Sequence, residues 1–203
     1  MLATIVYLHG FRSSPASVKA RRLREAVAAL PGHERPVLHI PALDDRPAVA
    51  MAAILAIAGN TDPARLSLVG SSLGGYYATH AAETLGARAV LVNPAVRPYD
   101  DLAAYRGRQV NLYTGAAFDV TERHFEELRA LAIPKITRPE RYLLLVQSGD
   151  EVLDYRAAVA FYAGAWQHVA GGGDHAFGGF ETHIPAILSF CGVGDTAGFV
   201  RRD

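Results

Sequence analysis

Residues 69–75 read Val69-Gly70-Ser71-Ser72-Leu73-Gly74-Gly75, a serine at the centre of a G-x-S-x-G pattern. Upstream, Arg65 to Val69 (Arg-Leu-Ser-Leu-Val) has the length and apolar content of a short buried strand. Downstream, Leu73 to Leu85 reads as a helix, with Gly86 placed to stop it. Ser72 therefore falls on a sharp strand-to-helix turn. A residue there takes a strained backbone conformation, and glycines two positions away on either side let strand and helix approach without a Cβ clash. The N–H of Leu73 is expected to point at the place where an oxyanion would form, at a helix N-terminus whose dipole favours negative charge. The competing reading is a plain β-α turn in a nucleotide-binding sheet. The stretch lacks the Gly-Lys-Ser/Thr of a phosphate-binding loop and does not fit G-x-G-x-x-G, so a nucleophilic Ser72 is the stronger reading.

The rest of the chain is consistent with a sheet around this turn. Ala3 to Leu8 is β-branched and continuously apolar, as a central parallel strand buried on both faces should be, and it runs directly into His9-Gly10-Phe11. A glycine-containing loop after that strand is suited to donate a second oxyanion N–H, from Phe11 or its neighbour. The imidazole of His9 is read as hydrogen-bonding its own loop, since the chemistry needs a backbone donor. Ser13-Ser14-Pro15 supplies a cap and a first-turn proline for a helix over Ala16 to Leu30. On that helix Val18, Leu23, Val27 and Leu30 form the buried stripe, and Lys19, Arg21, Arg22 and Arg24 a solvated basic face. Val37 to Ile40 reads as a strand. Pro47 to Ala58 reads as a helix, with Asp44-Asp45 as its start signal rather than a metal site. Arg88 to Val92 is the next strand, ended by Asn93-Pro94. Alternating strands and helices predict an α/β fold with a mostly parallel sheet and helices on both faces.

Regularity relaxes over 95–139, where a short helix is expected near Tyr99 to Tyr105 and a longer one from Thr121 to Ala132. Such an insertion is placed to form a small cap. Tyr99, Tyr105, Tyr113 and Phe118 either line an acyl pocket or make the cap's own core. Arg141 to Val146 is a further buried strand, leading into Gly149-Asp150-Glu151-Val152-Leu153-Asp154. A catalytic acid should emerge at the carboxyl end of such a strand, and Asp150, directly after the glycine, is the first choice. Asp154 is read as capping a helix from Tyr155, and Glu151 as facing solvent. Gln167 to Ala170 is the last strand, opening into Gly171-Gly172-Gly173-Asp174-His175. A histidine on a glycine-rich loop can fold back towards Ser72. The chain order Ser72, Asp150, His175 is that of α/β hydrolases and not of the chymotrypsin or subtilisin arrangements. Ile184 to Phe190 reads as a closing helix and 192–203 as a polar tail.

Composition narrows the partners. At 203 residues, half of them apolar, a single domain with a substantial core is expected. Twenty Lys plus Arg balance twenty Asp plus Glu, so no global field favours nucleic acid or an anionic membrane. The apolar run of Leu2 to Leu8 is too short for a signal peptide or a membrane span. A lone Cys191 forms no internal disulfide and fits a reducing, cytoplasmic compartment. His33, His39, His80, His124, His168 and His183 lack metal-ligand company, the pairing of His80 with Glu83 on one helix face included. No metal or organic cofactor is expected, and oligomeric state is not readable.

Tyr-Leu-His-Gly-Phe at 7–11, Ser13-Ser14-Pro15, Gly-Ser-Ser-Leu-Gly-Gly-Tyr-Tyr at 70–77, Asn93-Pro94-Ala95, Gly-Asp-Glu-Val-Leu-Asp at 149–154 and Gly-Asp-His-Ala-Phe at 173–177 together resemble the YqiA-like family of small bacterial α/β-hydrolase esterases. The likeness covers nearly the whole chain to about Phe190. It implies a compact α/β-hydrolase fold that begins at what is the third strand of larger relatives, carboxylesterase activity on a small-molecule ester, and Ser72, Asp150 and His175 as its triad. Three functional readings follow: a serine carboxylesterase of small or short-acyl esters, a thioesterase or acyltransferase using the same triad, and a non-catalytic binding protein on the same fold.

Overall fold

The computed structural model describes residues 2–194; the expected polar tail lies outside them from residue 195 onward. The chain runs β1 (Thr4–Leu8), α1 (Val18–Ala29), β2 (Val37–His39), α2 (Pro47–Ala58), β3 (Leu66–Ser71), α3 (Leu73–Leu85) and β4 (Arg88–Val92). After these come α4 (Pro98–Asp101), a hairpin of β5 (Gly107–Val110) and β6 (Ala117–Val120), α5 (Glu122–Ala130), β7 (Tyr142–Gln147), α6 (Tyr155–Phe161), β8 (Trp166–Ala170) and α7 (Phe180–Phe190).

Six strands form one sheet in the order β2-β1-β3-β4-β7-β8, and every pairing in it is parallel. Strand side chains alternate between two cores. Val6, Leu8, Leu68 and Leu91 pack with α2, α3 and α6 on one face. Ile5, Tyr7, Val69 and Val90 pack with α1 and α7 on the other. Burial on both faces is why these strands read as unbroken apolar runs. The chain leaves β1 towards β2, then crosses back to β3 on β1's other side. This reversal opens a crevice at the carboxyl ends of β1 and β3, between His9-Gly10 and Ser72.

Several expectations need correction. Helix α1 begins at Val18, because Ser13 to Ser17 form turns in which Ser14 Oγ accepts the N–H of Ala16 at 3.0 Å. Val18 is consequently exposed, and Ala20 joins Leu23 and Val27 on the buried side. Lys19 is not part of a freely solvated face, since its Nζ donates to the carbonyl of Ala176 at 2.7 Å. Helix α7 starts one turn before Ile184. Pro185 lies inside it. The β5–β6 hairpin was not anticipated: Arg108, Gln109 and Asp119 give it no apolar alternation, and most of it is exposed.

Glycines 70 and 74 set the closeness of the central packing. A Cβ on Gly70 would lie 2.2 Å from the carbonyl oxygen of Gly74, and one on Gly74 would lie 2.1 Å from that of Leu8. Backbone meets backbone there, and no rotamer change can relieve the overlap. Gly74→Ala is therefore expected to cost more than about 3 kcal/mol of unfolding free energy in urea, whereas Gly32→Ala, with nothing within 4 Å, should change it by less than about 0.5 kcal/mol.

Candidate active site

Five loops converge at the carboxyl edge of the sheet. Ser72, directly after β3, has φ 55° and ψ −122°, a conformation that side chains other than glycine's rarely adopt. All four described non-glycine residues with positive φ lie in these loops: Arg12 after β1, Ser72 after β3, Asn93 after β4 and Phe177 after β8. Each carries strain on the order of 1–3 kcal/mol, which persists only where the surroundings over-determine it.

The structure brings Ser72, Asp150 and His175 together. His175 Nε2 is 3.0 Å from Ser72 Oγ, and His175 Nδ1 is 3.0 and 2.9 Å from the two carboxylate oxygens of Asp150. The Asp150 side chain is 2% exposed and that of His175 22%. Burial pushes the Asp150 carboxyl up, but hydrogen bonds from His175 and from the N–H groups of Leu153 and Val152 outweigh it, leaving the carboxyl below its ordinary range. An ionised Asp150 at Nδ1 directs the other imidazole nitrogen, unprotonated, at the serine.

Phe11 and Leu73 flank Ser72. The amide N–H groups of both have no protein acceptor among the described residues. Gly10 is pressed so near that a Cβ there would lie 3.2 Å from Ser72 Cβ. The His9 ring meets its own loop through Nδ1, 3.1 Å from the carbonyl of Gly10, and also ties it to the loop after β2, where Nε2 accepts the N–H of Leu43 at 3.2 Å. Burial lowers its pKa.

The His175 loop, which leaves β8 through three glycines, is held almost entirely by side chains. Asn93 Nδ2 donates to the carbonyl oxygens of Asp174 (2.9 Å) and His175 (3.4 Å), while Asn93 Oδ1 accepts the N–H of Gln147. Gln147 Oε1 accepts the N–H of Asp174 and its Nε2 donates to the carbonyl of Gly178. Glu151, expected only to face solvent, accepts the N–H of His175 at 2.9 Å. Lys19 completes the set through Ala176. Sequence reasoning missed these roles, although Asn93 at a strand end, before a proline, was a visible signal. Asp154 caps α6 as expected, accepting the N–H of Arg156.

Residues 95–139 border the site. The hairpin is bound to the loop after β1: Leu112 N–H donates to the Arg12 carbonyl, Asn111 Nδ2 to that of Ser13, and Arg12 Nε to that of Val110. The Phe11 ring meets Tyr105 and Phe118 edge-on, at 5.6 and 5.7 Å. It separates two cavities. One, of about 200 Å³, contains Ser72 and His175 and is walled by Leu102, Tyr105, Leu112 and Leu153. The other, of about 230 Å³, lies on the Leu73 side and includes Phe118, Tyr77, Asp44 and Asp45. Tyr113 is exposed and Tyr99 packs on the core, and neither lines either of these two cavities. Cys191 is no rival nucleophile, because burial pushes its thiol up to about 12. His80 bonds the carbonyl of Leu131, and Glu83 accepts from Thr137 and Tyr142. Among the described residues no three His, Cys, Asp or Glu side chains are grouped to hold a metal.

An uncharacterised protein family, UPF0227, matches residues 4–192. The chain belongs to it, and it is the YqiA-like family that the motifs resemble. A putative hydrolase from Agrobacterium vitis superposes with a TM-score of 0.71 at 21% identity, covering 93% of this chain and 88% of that one. Mouse alpha/beta hydrolase domain-containing protein 10 gives 0.67 at 18%, covering 91% and 87%. Est1E from Butyrivibrio proteoclasticus, in a structure with ferulic acid bound, gives 0.66 at 16%, covering 93% and 87%. The fold is that of the α/β hydrolases.

The Asn93 tie has a stability consequence. Asn93→Gly should cost about 1–3 kcal/mol in chemical denaturation, from the buried groups it leaves unpaired. Asn93→Ala should cost about 1 kcal/mol more, because alanine resists the positive φ. In both variants hydrogen exchange should quicken at the amide of Gln147.

Proposed function

From membership of UPF0227 and the α/β-hydrolase fold, we propose that the protein is a serine hydrolase cleaving small carboxylic esters. The observation that carries this reading is the continuous line of hydrogen bonds from Asp150 through His175 to Ser72. A serine hydroxyl is a weak nucleophile at neutral pH. As Ser72 Oγ attacks the ester carbonyl, His175 Nε2 takes its proton, and Asp150 orients the imidazole and stabilises the imidazolium. The N–H groups of Phe11 and Leu73 stabilise the tetrahedral oxyanion, each by about 3 kcal/mol in comparable sites. His175 then protonates the leaving alcohol. Water, activated by the same imidazole, releases the acid from the acyl-serine. Every step uses groups of this chain alone.

Size supports small esters: the cavity beside Ser72 is about 200 Å³, below the roughly 300–1,000 Å³ of pockets that take drug-sized ligands. The reading takes the chain as one hydrolase domain with 95–139 as its cap. A reducing, cytoplasmic setting suits a buried, unpaired Cys191, and among the described residues no helix is long and apolar enough to cross a membrane.

Steady-state hydrolysis of phenyl acetate and phenyl butanoate tests this. Ser72→Ala and His175→Ala should each lower kcat by on the order of 10⁴-fold or more, and Asp150→Asn by about 10³–10⁴-fold, with circular dichroism unchanged. Equal rates in wild type and Ser72→Ala would refute the assignment.

A further inference from the structure

The second cavity is not used by the hydrolytic steps above, yet it adjoins them, sharing Phe11, Arg12 and Leu73 with the cavity that holds Ser72. His175 lines the first cavity and not the second. Because His175 must hand its proton to the leaving oxygen, the alcohol half of an ester belongs in the first, and the acyl half is directed past Leu73 into the second.

One group in the second cavity has no protein partner among the described residues. Tyr77 lines it and is only 2% exposed, yet its hydroxyl has no hydrogen-bond partner among the described residues. Its neighbour on the helix differs: Tyr76 donates to the carbonyl of Leu128 at 2.7 Å. The hydroxyl is not sealed off, since the buried side-chain atoms without a partner among the described residues are Ser17 Oγ, Arg65 Nη1 and Ser67 Oγ, so it is open to an occupant of the cavity. Burial above all, with Tyr76, Glu127, Asp44 and Asp45 adding to it, pushes the Tyr77 phenol well above its ordinary value, so it stays an O–H donor.

The carboxylates that share the cavity with it retain capacity. Asp44 uses one carboxylate oxygen on the N–H of Arg46. Asp45 receives His124 Nε2 at 3.4 Å on one oxygen, and His124 Nδ1 accepts the N–H of Thr121. Glu127, behind them, is occupied by Arg46, Arg123 and the N–H of Ala48. Arg12 spends Nε on Val110. With two carboxylates against one guanidinium among its lining side chains, the cavity disfavours an acidic acyl group. An ammonium would satisfy Asp44 and Asp45 but could not accept from Tyr77. A hydroxyl does both.

We propose that this cavity is the acyl subsite of the Ser72 centre and takes an acyl group bearing a hydroxyl, which accepts from the Tyr77 O–H and donates to Asp44 or Asp45. The proposal rests on the serine-hydrolase reading.

Matched esters test it: phenyl 3-hydroxybutanoate against phenyl 3-methylbutanoate, phenyl 6-hydroxyhexanoate against phenyl heptanoate, and phenyl 3-aminobutanoate as the cationic arm. The hydroxyl replaces a methyl in each pair, so the ratio of kcat/KM isolates it. In the wild type at least one hydroxyacyl ester should exceed its isostere by about tenfold. In Tyr77→Phe, checked for folding by thermal melting, that ratio should fall to about one, and Asp44→Asn combined with Asp45→Asn should lower it too. No hydroxyl preference in either pair, a preference that survives Tyr77→Phe, or faster turnover of the amino ester would overturn the subsite while leaving Ser72-dependent hydrolysis of the alkyl esters standing. No Ser72-dependent turnover of any of these esters would overturn the hydrolase reading, and the subsite with it.

Discussion

The backbone contact between α3 and the ends of β1 and β3 is the constraint on which the rest of the site depends. Gly74 lies against the carbonyl of Leu8, and Gly70 against the carbonyl of Gly74, so the first turn of the helix sits in direct backbone contact with the ends of β1 and β3. The turn has no room for a relaxed residue, and Ser72 takes a positive φ. That conformation lifts its side chain out of the strand direction while leaving the Leu73 N–H at the open end of the helix. Apolar packing of α3, with Tyr76, Ala78, Ala81 and Ala82 buried, offsets the strain. The same contact presses Gly10 against Ser72, bringing the Phe11 amide alongside.

Around this point the loops are fixed by different means. The Asp150 turn follows directly from β7 and is secured by its own carboxylate, which accepts the N–H groups of Val152 and Leu153. The His175 loop has little internal order, only the N–H groups of Phe177 and Gly178 bonding the carbonyl and carboxylate of Asp174, with three glycines before it and a strained Phe177 after it. Side chains from β4, β7, α1 and the Asp150 turn take up its backbone groups instead. Asn93 couples the two systems, since one amide bonds both the end of β7 and the His175 backbone. Placement of the imidazole is thus a property of the sheet edge as a whole.

Much of this could be read from residue order. Short, continuous apolar runs ended by glycine or asparagine mark the central parallel strands, because burial on both faces removes alternation while their length and the breakers after them exclude a helix. Ser72 and Asp150 each follow such a run, whereas His175 follows the mostly exposed edge strand β8 and is marked by the glycines that precede it; chain order and parallel topology make their convergence foreseeable. What escaped has a physical pattern as well. The hairpin of 107–120 buries too little to impose a period on its sequence. The expected helix starts at Ala16 and Ile184 differ from the observed Val18 and Phe180 because turn hydrogen bonds at Ser14 and the glycine entry at Gly179 decide where those helices begin, and neither leaves a periodic trace. Asn93, Gln147, Glu151 and Lys19 act through backbone groups far away in sequence, so residue type alone does not reveal them. Tyr77 looks like any core aromatic until its hydroxyl is found facing a cavity.

The claim at the centre of this account is that fold geometry makes Ser72 an activated nucleophile. Intact-mass measurement after treatment with a fluorophosphonate tests it without any assumption about substrate. The account predicts one adduct per chain, mapped by peptide sequencing to Ser72, absent in Ser72→Ala and formed at least about a hundredfold more slowly in folded His175→Ala. Labelling at another residue, or a rate at Ser72 unaffected by the loss of His175, would contradict it.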